Sequence, residues 1–206
     1  MKNMILIGIT GQSGAGKSAL SRHFTESGIP VLSMDDMARK VVEPYTPCLA
    51  ELAAYFGDGI LGDGIHLDRA ALRDIAFSDK TKLAKLNEIT HKYIRGETEV
   101  WLAELGNQGK TLAAIDASQL FESGFDAMCD RVVCVIAPHQ TCINRIIARD
   151  NITEQVAEQR LANQLPREFF TDKADYLIDN SSDPNHLEYA ASQVITQIKN
   201  LLYNES

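Results

Sequence analysis

Residues 11–18, Gly-Gln-Ser-Gly-Ala-Gly-Lys-Ser, fit the pattern Gly-x-x-x-x-Gly-Lys-Ser/Thr at every position. No other stretch limits the fold as much, because such a loop functions only between a strand and a helix. The apolar run Met4 to Thr10 reads as the strand, and the residues from Lys17 onward read as the helix. Glycines let the backbone curl until successive N–H groups converge on phosphate oxygens. The helix adds its positive end, so the amides of Lys17, Ser18 and Ala19 are expected to face an anion. Lys17 is expected on the β- and γ-phosphates of a nucleoside triphosphate, and the Ser18 hydroxyl in the shell of Mg²⁺. The predicted cradle comprises Gly11, Ser13, Gly14, Ala15, Gly16, Lys17, Ser18 and Ala19. An ordinary Gly-rich turn has no need of Lys-Ser at its end.

Short apolar runs alternate with longer amphipathic ones along the rest of the chain, as in βα units on a parallel sheet. Strands are predicted at 4–10, 30–34, 111–116, 131–137 and 176–179. Met-Ile-Leu-Ile-Gly-Ile and Val-Val-Cys-Val-Ile are continuous apolar runs, as expected of strands buried on both faces. The expected class is α/β: a three-layer α/β/α P-loop domain with a five-stranded parallel sheet. Roughly 75 residues without a convincing strand separate the second and third strands, far more than an ordinary crossover. The whole chain is therefore read as one domain. Its core is 1–35, 110–140 and 174–206, a helical insertion spans about 36–109, and a lid spans about 141–173.

Within the insertion, Thr46-Pro47 is expected to open a helix that stops at Phe56-Gly57. The Gly-rich stretch Asp58 to Asp68 lacks calcium-loop spacing and reads as a plain turn. Ser78 is expected to cap a long helix, with Leu83, Leu86, Ile89, Tyr93, Val100 and Leu105 facing the core and an end near Gly106. Asn87, His91 and Arg95 fall at i, i+4 and i+8 on another face. The last helix is expected from Asp183-Pro184 through Leu187, Ala191, Val194, Ile198 and Leu201.

Charge narrows the partners. Twenty Lys and Arg against 28 Asp and Glu leave −8, which argues against duplex nucleic acid or an anionic membrane. Anions must then be met locally. No window reaches the apolar length of a membrane span, and the first residues lack a leader pattern. The expectation is a cytoplasmic protein with a small-molecule substrate, a monomer or weak homo-oligomer. Cys48, Cys129, Cys134 and Cys142 show no zinc or CxxC spacing and are expected to be reduced thiols.

A phosphate cradle does not say where the phosphate goes. Guanine-recognition signatures are missing and the chain is short for an ATPase motor, which leaves a small-molecule kinase as the leading class. In an open parallel sheet, ligands lie beyond the carboxyl ends of the strands. Asp35, just past the second strand, is therefore the candidate base that takes the acceptor's proton, while Asp36 reads as a helix-opening acid. Asp116 closes an apolar run in the Walker B manner and is the second candidate Mg²⁺ contact. Arg145 and Arg149 form an i,i+4 pair able to point at a common anion, with Arg145 on the γ-phosphate as a catalytic group and Arg149 on the nucleotide. The alternative is a solvated basic cluster, with Arg160 and Arg167, that pairs with Asp150 and Glu154. Asn180 follows the last strand, either near the nucleotide or as a turn former.

Collectively these residues resemble the dephospho-CoA kinases. The matching stretches are Gly8 through Ser18, Met34-Asp35 with Ala38-Arg39, Val41 to Pro44, and Leu86-Asn87 with His91. They continue with Asp116-Ala117, Leu120 to Gly124, Arg145 with Arg149-Asp150, Asn163-Gln164, and Ala174-Asp175 with Ile178 to Asn180. The resemblance implies ATP-dependent phosphorylation of the ribose 3′-hydroxyl of dephospho-CoA, with Mg²⁺, giving coenzyme A and ADP. It puts Asp35 on the family's base and Arg39, Asn87, His91, Arg95 and Glu122 in the acceptor pocket. The chain departs from the family where Ser33 replaces the first Asp of Asp-x-Asp, Lys92 replaces a Pro, and Ser118-Gln119 replace Pro-Leu. The other readings are a P-loop kinase of another nucleoside or small alcohol, and a nucleotide-binding regulator without turnover.

Overall fold

The structure is a computed structural model that describes residues 4–181 and 184–204. Five strands form one parallel sheet in the order β2-β3-β1-β4-β5: β1 Ile5–Gly11, β2 Val31–Ser33, β3 Leu112–Asp116, β4 Arg131–Ile136 and β5 Tyr176–Asp179. The helices are α1 Lys17–Glu26, α2 Met34–Lys40, α3 Pro47–Phe56, α4 Arg69–Phe77, α5 Lys80–Asn107, α6 His139–Asp150, α7 Glu154–Ala162, α8 Arg167–Lys173 and α9 Pro184–Asn204. Every strand expected from the apolar runs forms, with ends shifted by a residue or so. The chain divides into two compact units, Ser33–Glu104 and the remainder.

In the sheet-bearing unit, alternation along each strand sorts side chains between two faces. Ile7, Ile9, Val133 and Val135 share one buried cluster with Leu20 and Phe24 of α1, Ile143 and Ile146 of α6, and Leu187, Ala191 and Ile198 of α9. Cys134 and Ile136 point to the other face, against Phe170 of α8, Phe121 and Leu165. Gly8 is on that second face as well. A Cβ there would stand 2.6 Å from a Leu120 methyl, so the turn after β3 lies directly on the strand. The start expected for α9 at Asp183 lies outside the described residues.

The unit Ser33–Glu104 is helical. Thr46 caps α3 by accepting the Leu49 N–H at 3.3 Å, Pro47 takes the first helical position, and Gly57 ends the helix at φ 86°. The long helix opens differently from the sequence expectation. Ser78 keeps helical angles as the residue that caps the C-terminal end of α4 and donates to Ile75 O at 2.8 Å. The capping group of α5 is the Asp79 carboxylate, which accepts the Thr81 N–H at 2.7 Å.

The expected core stripe of α5 is also only half correct. Ile89 and Leu105 are buried, but Val100 is 56% exposed, and Ile94 and Thr98 are buried instead. Thr98 lies about 180° around the helix from Ile89, because a 28-residue helix is not covered by the same neighbours along its length. All four cysteines are free thiols. Burial pushes Cys134 up to about 12 and Cys48 to about 11, so neither is a ready nucleophile.

Candidate active site

The cradle turns at the positions its glycines predict. Gly14 has φ 79° and Gly16 has φ 116°, both left-handed. A side chain at Gly14 would stand 2.5 Å from the Cys142 carbonyl oxygen, and one at Gly16 would collide with the Asn180 amide. Glycine is thus required twice over, for its angle and for its space. α1 begins at Lys17, so the first-turn amides of Lys17 and Ser18 are left for a ligand.

Three other amides of the loop are used by the protein itself. The Ala19 N–H donates to Gly16 O at 3.0 Å, the Ala15 N–H to Gln12 O at 3.0 Å, and the Ser13 N–H to Gln164 Oε1 at 3.0 Å. These three amides therefore shape the loop rather than line the anion site as the sequence expectation had it.

Lys17 and Asp116 meet as an ion pair, each side chain about 15% exposed (16% and 15%). Ser21, one helical turn after Lys17, donates to the other Asp116 oxygen at 2.6 Å. Register explains the meeting: Asp116 lies opposite Ile9, on the sheet face that α1 covers. Ser18 and Asp116 offer a hydroxyl and one carboxylate, both hard oxygen donors. Among the described residues no three His, Cys, Asp or Glu side chains come together to hold a metal. One carboxylate with phosphate oxygens completing the shell suits Mg²⁺, which seldom takes an all-protein cage.

The arginines part company. Arg145 Nη1 donates to Gly14 O and Ala15 O, both at 3.3 Å, and its Nη2 to Asn180 O at 3.1 Å. Asn180, 7% exposed, donates from Nδ2 to Ala15 O at 2.7 Å. Arg145 and Asn180 therefore hold the carbonyl side of the cradle, the side opposite to amides that converge on an anion.

Arg149 forks onto Asp150 at 2.7 and 2.8 Å, and Arg160 reaches the same carboxylate. Arg149 first, then Arg160, holds that carboxyl far below the ordinary carboxylate range. The common anion expected for Arg145 and Arg149 is thus not formed, and the paired basic cluster describes Arg149 and Arg160. A fork onto the neighbouring acid is the nearer partner for a planar guanidinium.

Glu122 is exposed in the turn between Phe121, which packs on Phe169 at 5.3 Å, and Gly124. In the other unit, Asp35, Asp36 and Arg39 are exposed on α2, with Arg39 and Asp36 3.2 Å apart. Ser33, the departure from Asp-x-Asp, accepts the Asp36 N–H at 3.2 Å and so caps α2. Asn87, His91 and Arg95 follow one face of α5, with His91 and Arg95 half-buried. Lys92, the replacement for Pro, pairs with Glu51 at 2.5 Å and ties α3 to α5.

Gln12, Gln164 and Ser21 were not singled out for the site from sequence. Gln12 Nε2 donates to Leu165 O at 3.2 Å, so residues 12 and 13 are matched to 165 and 164 in the segment between α7 and α8. Separations of 151 and 153 residues leave no local pattern to read.

Comparison with known proteins covers almost the whole chain. A family model described as dephospho-CoA kinase matches residues 5–185. A dephospho-CoA kinase of Listeria monocytogenes is 38% identical, over 97% of this chain and 98% of that relative. Among solved structures, TT1252 from Thermus thermophilus superposes with TM-score 0.80 at 29% identity, covering 95% of this chain and 98% of its own. A dephospho-CoA kinase from Campylobacter jejuni gives TM-score 0.70 at 26% identity, covering 96% and 98%.

Proposed function

The chain belongs to the dephospho-CoA kinase family, and from that premise we propose how its residues divide the reaction. The enzyme transfers the γ-phosphate of ATP to the ribose 3′-hydroxyl of dephospho-CoA, giving coenzyme A and ADP, the last step of coenzyme A synthesis. The observation that carries this reading is the span of the match, residues 5–185, which takes in the cradle and the helical insertion together.

In the proposed division, the Lys17 and Ser18 amides and the Lys17 ammonium hold the β- and γ-phosphates. The Ser18 hydroxyl and the Asp116 carboxylate would hold Mg²⁺, which supplies charge neutralisation at the phosphate oxygens. Asp35 accepts the proton of the 3′-hydroxyl as its oxygen bonds to the γ-phosphorus and the β–γ bridge breaks towards ADP. Arg39, Asn87, His91, Arg95 and Glu122 bind the acceptor. Arg145 serves the nucleotide indirectly, through the cradle's carbonyls. No described helix is long and apolar enough to cross a membrane, and we assign the chain to the cytoplasm.

An acceptor panel tests the reading. ADP release is followed with dephospho-CoA, nucleosides, shikimate and gluconate. Turnover is expected with dephospho-CoA alone. Turnover on another acceptor in its place contradicts the assignment, as does tight ATP binding with no turnover on any.

A further inference from the structure

We propose that Ser21 is a positioning residue for phosphoryl transfer. It fixes one oxygen of Asp116 so that the other is presented to the cation accompanying ATP. The inference rests on the metal role proposed above for Asp116.

Ser21 is 8% exposed inside α1, where alanine would make a better helix former and would bury no hydroxyl. A mid-helix serine ordinarily points to solvent or bonds back to the carbonyl four residues earlier. Here Oγ instead donates to Asp116 Oδ2 at 2.6 Å, across 95 residues of sequence. An ionised carboxylate only accepts, so the hydroxyl is the donor, and the length is that of a charge-assisted bond.

Lys17 meets Oδ1, the remaining oxygen. Lys17 and Ser21 stand at i and i+4 on one face of α1, so each oxygen of Asp116 has its own partner. The two partners differ in what they do when nucleotide binds. Lys17 is required by phosphate, and its departure frees Oδ1. The Ser21 hydroxyl has no such competitor, and it keeps the carboxylate from rotating when Lys17 leaves. The cation then meets an oriented carboxylate, and no part of its binding energy goes into ordering that side chain.

The experiment compares Ser21→Ala, Ser21→Thr and Asp116→Asn in the full chain. A non-hydrolysable ATP analogue is titrated calorimetrically with and without Mg²⁺, and kcat is measured with dephospho-CoA. Thermal melting checks that each variant folds. Ser21→Ala is expected to lose about tenfold of the Mg²⁺-dependent gain in analogue affinity, and about tenfold in kcat. Its metal-free affinity should stay near that of the wild type, and Ser21→Thr, which keeps the hydroxyl, should restore most of both losses. A merely structural serine would lower the melting temperature without changing the Mg²⁺ gain, and that result overturns the proposal. If Asp116→Asn loses the gain and Ser21→Ala keeps it, the Ser21 proposal alone falls. If Asp116→Asn also keeps it, the metal role of Asp116 falls as well.

Discussion

His91 lies half-buried on α5 beside Arg95. Burial first, and the Arg95 charge second, hold its imidazole below the ordinary value of 6.5. At neutral pH it is therefore an uncharged hydrogen-bonding group, and positive charge on this face belongs to Arg95. Because the folded state binds its proton less readily than the unfolded chain, this histidine's contribution to stability is intact above pH 6.5 and is lost as pH falls below it. A proton-resonance titration of the His91 ring should give a midpoint below 6.5, and Arg95→Ala should move it upward. A midpoint at or above 6.5 in the wild type contradicts the burial argument. Asp35 is the other side chain with a sharp expectation. Asp35→Asn should keep ATP affinity while kcat falls by about 10²-fold or more, since an amide cannot accept the proton. Unchanged kcat removes Asp35 from the chemistry.

At the scale of elements, the cradle is a strand-to-helix turn held from outside itself. α6 contributes Arg145, the end of β5 contributes Asn180, and the segment between α7 and α8 contributes Gln164. Removing the Arg145 guanidinium leaves three carbonyls without a charged donor, two of them in a loop that depends on a fixed curvature. A hydrogen bond from a charged group contributes about 1.5–3 kcal/mol. Arg145→Ala is therefore expected to raise the KM for ATP roughly tenfold and to lower the melting temperature, with Asn180→Ala weaker in the same direction. A fall in kcat at unchanged KM and unchanged stability would instead put Arg145 on the transferring phosphate.

Element ends obeyed local chemistry where one cap stood alone, as at Thr46-Pro47 and Gly57. They misled where two candidates were adjacent. Ser78 and Asp79 both suit a cap, and the helical angles of Ser78 make it the C-cap of α4 while the Asp79 carboxylate opens α5.

Across the whole molecule, the cradle and its three outside supports lie in one compact unit, whereas Asp35, Arg39 and the α5 face lie in the other. Hydrogen exchange should reflect that division. A non-hydrolysable ATP analogue alone is expected to slow exchange at Gly14 to Ser18, and dephospho-CoA to slow it in α2 and α5. Equal protection of α5 by the analogue alone would count against separate binding duties.

The sequence by itself determined the strands, the phosphate loop and the run of helices between β2 and β3. Apolar run length, glycine spacing and cap residues act over a few neighbours, and one chain suffices to read them. Only the tertiary structure decided that Ser21 holds Asp116, that Arg145 and Asn180 brace the cradle, and that Arg149 is taken by Asp150. The buried side of α5 was likewise set by what packs on each turn. Each of these depends on which distant segment arrives opposite a side chain, and sheet register and helix packing fix that arrival, not spacing along the chain.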